Sequence, residues 1–197
     1  MTEQDRRPAL RVVSAEALAK ELKRVDSGLR FARTLFQTLF LLVVVAAASV
    51  LVATLMFPVL RIYGASMEPA LQEGEIVFSL RTTDIRRSDL VAFYYGNKVL
   101  IKRCIALPGD VVDLDDAGNV TVNGTLLEEP YLQEKARGDC DIDLPFQVPD
   151  GRLFVLGDQR STSIDSRNSL IGCIASEQII GRVVFRLWPL SRCGSLY

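Results

Sequence analysis

From Thr34 to Leu60 the chain carries no charged residue, through TLFQTLFLLVVVAAASVLVATLMFPVL. At ~1.5 Å per residue, a helix of that length crosses the roughly 30 Å hydrocarbon core of a bilayer with length to spare. A secretory signal peptide has an apolar region of only about 7–15 residues. A buried core helix would more often show a polar face, which this run lacks. The pattern predicts a transmembrane helix over 34–60. Just before it, residues 14–33 have amphipathic helical spacing, with Ser14 placed to cap the first turn.

Past Leu60 the period changes. EIVFSL, DLVAFYY, KVLIKRCIAL, DVVDL, NVTV, RLFVLG and GRVVFRLW are short apolar runs rich in Val, Ile, Phe and Tyr, and they predict strands. Gly96-Asn97 and Asn123-Gly124 mark tight hairpin turns, and Asp116 to Asn119 a longer one. Ser176 to Ile180 suggests one short helix. Glu128 to Asp150 is acidic, carries Pro130, Pro145 and Pro149, and reads as the longest irregular connection. The expected fold class is mainly β, an antiparallel domain over 61–197 behind one N-terminal transmembrane helix.

Charge adds direction. Residues 1–33 hold eight Lys/Arg against five Asp/Glu, and the chain from Arg61 onward holds fifteen against nineteen. Lys20, Lys23, Arg24, Arg30 and Arg33 crowd the N-terminal side of the apolar run. The positive-inside tendency therefore puts the basic, partly helical segment 1–33 in the cytoplasm and 61–197 outside the membrane. A formal net charge of −1 argues against a nucleic-acid partner, while the lipid bilayer is an expected one.

The chain contains no histidine. That removes Ser-His-Asp hydrolases, Cys-His transpeptidases and most zinc enzymes. Cys104, Cys140, Cys173 and Cys193 form no C-x-x-C pair, and three full disulfide pairings or none are open. YGASMEPALQEGEIV, Tyr63 to Val77, then poses a question: what base could serve Ser66? A lysine can, if it loses its proton, which requires an amine desolvated among apolar neighbours. Lys98 abuts a turn and Lys135 sits in the polar connection. Lys102 lies inside VLIKRCIAL, where strand alternation gives it Leu100 and Cys104 as neighbours on one face. A lysine snorkelling to water from a sheet edge is the alternative.

GASMEPALQEGE (64–75), IKRCIALPGD (101–110) and LGDQRSTSIDSR (156–167), in that order behind an N-terminal apolar run, resemble the signature boxes of bacterial type I signal peptidases. VNGTLLEEPYL (122–132) resembles the hairpin of that family between its second and third boxes. The family consists of membrane-anchored serine–lysine proteases that remove signal peptides. The resemblance implies Ser66 as nucleophile, Lys102 as general base and Ser163 as a hydroxyl that orients the lysine amine. It implies supporting roles for Asp165, Arg167, Arg103 and Asp158. Ile62, Met67, Leu71 and Ile101 match positions that line shallow pockets for small side chains, although each could equally be ordinary core. Leu156-Gly157 and Pro108-Gly109 are read as turns without chemistry.

The chain departs from the family pattern at Ala70, where threonine is usual, and at Gln159, where asparagine is usual. Gly64 stands where some members carry a serine hydroxyl. Oxyanion stabilisation around Gly64 and Ser66 then rests on backbone N–H groups, chiefly that of Ser66. The implied partners are preproteins bearing signal peptides, and no cofactor or metal is required. Self-cleaving stress-response repressors share a related core but carry a DNA-binding domain and no anchor. A membrane-tethered binding module with an idle site is the non-enzymatic alternative.

Overall fold

The computed structural model describes residues 14–196. The chain divides into two units, residues 1–52 and 53–197. Within the described residues, helix α1 (Ala15–Met56) runs without a break, so the expected junction near Thr34 is not an interruption. Its hydroxyls are satisfied along the helix: Thr34, Thr38 and Ser49 donate to the carbonyls of Arg30, Thr34 and Val45 at 3.0, 2.9 and 2.8 Å. Large apolar side chains from Leu35 to Met56 are exposed along it. The helix is long and apolar enough to cross a membrane.

It ends four residues before the expected Leu60. Pro58 has no N–H to donate and disfavours helical backbone at Phe57, and the chain turns into strand β1 (Val59–Arg61). There follow β2 (Ile76–Leu80), β3 (Leu90–Tyr95), β4 (Lys98–Ala106), β5 (Val111–Leu114), β6 (Val120–Val122), β7 (Thr125–Leu126) and β8 (Phe146–Gln147). The last four are β9 (Arg152–Leu156), β10 (Ile174–Ala175), β11 (Ile179–Trp188) and β12 (Gly194–Ser195). The expected helix at 176–180 is a single 3-10 turn at Ser176–Gln178. Ile179 and Ile180 instead open β11, where β-branched side chains pack against a neighbouring strand.

Every strand pairing is antiparallel. An eight-stranded sheet runs β1-β2-β11-β3-β4-β9-β10, with β12 on β11, and a four-stranded sheet runs β7-β6-β5-β8. Pairing of Tyr95 with Lys98, and of Val122 with Thr125, closes the two hairpins at Gly96-Asn97 and Asn123-Gly124.

Alternation sorts the larger sheet's side chains into separate cores. On β3, Leu90 and Ala92 join Ile62, Met67, Leu71, Val77 and Val183, while Val91 and Phe93 join Cys104, Leu153, Val155 and Ile174. Both faces of β3 are covered, which explains its nearly unbroken apolar run. On β9 the alternate residues Phe154 and Leu156 turn to a third core, with Ile105 and the smaller sheet's Val112, Val120 and Val122. Strand β4 therefore stands where all three cores meet, through Ile101, Cys104 and Ile105, and β9 joins two of them.

Candidate active site

Ser66 lies in the loop between β1 and β2. That loop is pinned by its own apolar side chains, since Ile62, Met67 and Leu71 are buried in the core beneath it. Backbone bonds close it, from Ile62 N–H to the Glu75 carbonyl at 2.8 Å and from Leu71 N–H to Met67 at 2.9 Å. Gly64 sits at φ 80°, a left-handed conformation that a serine would adopt only under strain, so the backbone here favours glycine. Neither the N–H nor the hydroxyl of Ser66 has a hydrogen-bond partner among the described residues. The N–H is thus available as an oxyanion donor.

Strand β4 carries Lys102, whose residue exposure is only 3%. Its Nζ donates to Ser163 Oγ at 2.8 Å. Burial holds its pKa below the usual lysine range; the Asp165 carboxylate opposes this, the Arg167 guanidinium adds to it, and Asp158 again opposes. The amine is bonded to Ser163 rather than to Ser66 in this state. Unliganded catalytic contacts are often long and tighten around substrate. Ser66 and Lys102 line one cavity of about 730 Å³, walled mostly by apolar groups such as Leu100, Ile164 and Ile171. A smaller cavity of about 90 Å³, also touched by Ser66, is lined by Ile62, Gly64, Met67 and Ile101. Leu71 lines neither. It is fully buried, so that expected pocket residue is core.

The turn after β9 supplies Ser163, and buried charges hold it. Asp165 and Arg167 are paired by both oxygens, at 2.8 Å from Nε and 2.9 Å from Nη2. Arg167 also donates to the carbonyls of Ala136, Arg137, Arg160 and Ser163, so every side of its guanidinium is occupied. Arg103, next to Lys102 on β4, forks onto Asp158 at 2.8 and 2.5 Å and donates to the Ser88 carbonyl.

Gly157 is no mere turn residue. A β-carbon there would fall 2.1 Å from Ser163 Oγ and 2.7 Å from the Ser66 carbonyl oxygen, so the two loops meet against a position that has room only for hydrogen. Its N–H donates to Asp165 at 2.9 Å, and the nearby Gln159 N–H donates to the Ser66 carbonyl at 3.1 Å. Sequence reasoning also passed over Arg160 and Glu129, a fully buried pair in which the guanidinium bonds both carboxylate oxygens. Tyr131 donates to the same carboxylate at 2.9 Å and lays its ring 3.9 Å from the Arg103 guanidinium carbon. The available signal was an Arg in the third box and an acidic residue in the segment resembling the family hairpin. The cysteines, for which pairing was open, are all free thiols.

Comparison with known proteins identifies the family of the chain. The family described as "Signal peptidase, peptidase S26" matches residues 33–188. Signal peptidase I of Bacillus licheniformis is 32% identical over 174 residues, covering 80% of this chain and 91% of that protein. Signal peptidase I P of Bacillus subtilis subsp. natto is 36% identical over 155 residues, covering 72% of this chain and 83% of that one. A crystal structure of a signal peptidase I from Enterococcus faecalis V583 aligns with a TM-score of 0.41 at 29% identity, over 50% of this chain and 96% of that chain. With most of its length matched, and with relatives spanned over nearly their whole sequences, this chain belongs to the signal peptidase family, peptidase S26.

Proposed function

We propose that this protein is a membrane-anchored serine endopeptidase that cleaves signal peptides from secreted precursors through Ser66 and Lys102. The observation that carries the reading is a buried lysine amine whose one hydrogen-bond partner among the described residues is a hydroxyl, opening into the same cavity as Ser66. Neutral Lys102 takes the Ser66 proton as Oγ bonds to the scissile carbonyl carbon. The negative oxygen that forms is met by the free Ser66 N–H. The C–N bond then breaks as the Lys102 ammonium returns that proton to the departing amine, leaving an acyl-enzyme. A water attacks the ester, giving its proton to Lys102; the Ser66–acyl bond then breaks as that proton passes from Lys102 to Ser66 Oγ, which frees the signal peptide as a carboxylic acid and restores the neutral amine. The small cavity lined by Ile62, Met67 and Ile101 suits small residues before the cut, the Ala-x-Ala pattern that the family resemblance implies.

Within this reading, α1 is the anchor, with residues 1–33 cytoplasmic and the β unit outside. The cations before Thr34 and the exposed apolar helix that follows support this. Ser66 follows shortly after the helix end, so it meets tethered substrates near the depth at which their own apolar helix ends.

The test is incubation of the full chain in detergent with a secretory precursor, read by mass spectrometry of the products. Wild type should cut after the Ala-x-Ala sequence. Ser66→Ala and Lys102→Arg should each lose about 10⁴-fold or more in rate. Undiminished cleavage by either variant would sink the assignment.

A further inference from the structure

The buried Arg160–Glu129 pair is not accounted for by stability. A fully desolvated ion pair roughly breaks even against apolar side chains of similar volume, and both of these side chains are 0% exposed. What apolar side chains could not supply is a donor to a carbonyl. Arg160 Nε donates to the Gly157 carbonyl at 3.1 Å, while Asp165 holds the Gly157 N–H from the other side. The main chain of Gly157 is thus gripped on both sides at the point where the Ser66 carbonyl and the Ser163 side chain press against its α-carbon. Glu129, itself bonded by Tyr131, aims the guanidinium. The Tyr131 ring over Arg103 ties this group back to β4 beside Lys102.

We propose that Arg160, oriented by Glu129 and Tyr131 from the irregular connection, is a positioning residue that sets the relative placement of Ser66 and Ser163, and through Ser163 the Lys102 amine. This rests on Ser66 and Lys102 being the reacting pair. Arg160 touches neither substrate nor reacting atoms; it acts through the Gly157 carbonyl. A lysine at 160 keeps the charge opposite Glu129 but cannot fork onto two carboxylate oxygens and a carbonyl together.

The experiment uses the full chain in detergent and one Ala-x-Ala precursor, with the folded fraction measured by circular dichroism. Arg160→Lys is expected to lower kcat per folded molecule by about tenfold to a hundredfold with KM unchanged, as a displacement of reacting groups does. The double variant Glu129→Met/Arg160→Met, which fills the same volume with apolar atoms, is expected to melt near the wild-type temperature and still show the lowered kcat. Wild-type kcat per folded molecule in either variant would overturn the inference. Ser66→Ala run alongside separates the two failures. If Ser66→Ala still cleaves, the reading of the reacting pair is wrong. If it is inert while Arg160→Lys turns over normally, only the positioning role is wrong.

Discussion

Two neighbouring regions bury positive charge in opposite ways. In the turn after β9 and the segments packed on it, Arg103, Arg160 and Arg167 each meet their own carboxylate, from Asp158, Glu129 and Asp165. In the recess on β4, Lys102 is buried equally well, yet its bonded partner is a hydroxyl. Desolvating a charge is costly, and a protein offsets that by pairing it or by removing it. The arginines cannot be deprotonated, so they are paired and form the frame. The lysine can lose its proton, and it is left without a carboxylate. In the proposed reaction, the difference between scaffold and base is therefore a matter of which cation was given a carboxylate.

The strongest way to break this comparison is to unpair one side. Asp165→Ala leaves the Arg167 guanidinium buried without its partner and should cost about 3–5 kcal/mol of stability, measured by thermal or denaturant unfolding. Gly157→Ala attacks the partition between the regions. Its methyl group needs space held by Ser163 and the Ser66 carbonyl, so cleavage should fall by about a hundredfold, with a stability loss of about 1–3 kcal/mol.

Lys102→Met should move stability the other way at neutral pH. Because burial lowers the lysine's folded pKa below 10.5, the unfolded chain holds more protons between those two values, and wild-type stability rises with pH across that window. Methionine has no such titration, so its advantage in melting temperature should be largest below the folded value and close as pH approaches 10.5. The same amine should give cleavage an acid limb at a pH below 10.5. An advantage that widens with pH would contradict the account of the recess.

The smallest effect concerns Cys104, on the same strand. Burial pushes its thiol up to about 12, as burial pushes the Lys102 amine down. At pH 8 a maleimide should label exposed Cys193 and leave Cys104 unmodified in the folded protein, as peptide mass spectrometry would show.

Two kinds of signal made parts of this frame legible from sequence. Alternation on β4 gave Lys102 apolar neighbours while leaving open a lysine that snorkels to water, and Ser163, Asp165 and Arg167 were read only through the resemblance of the third box to the family's. Strands of two or three residues, such as β7, β8, β10 and β12, show no period to read. The helix end was misjudged because lack of charge continues to Leu60, whereas backbone geometry stops at Pro58. Leu71 was ambiguous because pocket linings and cores use the same side chains. Glu129 and Arg160 stayed hidden because the pairing joins residues 31 apart across a stretch without periodicity. Gly157 was taken for a turn because a glycine demanded by close approach looks the same in sequence as one demanded by a bend.

The connection from Glu128 to Asp150 binds Arg167 through the main-chain oxygens of Ala136 and Arg137. Any amino acid offers such an oxygen, so these bonds place no demand on the side chains at the two positions. They do place one on residue count. Adding or deleting a single position just ahead of Gly138, whose α-hydrogen faces the Arg167 guanidinium with no room for a methyl group, would slide both oxygens out of register. Among descendants this stretch should therefore keep its length constant.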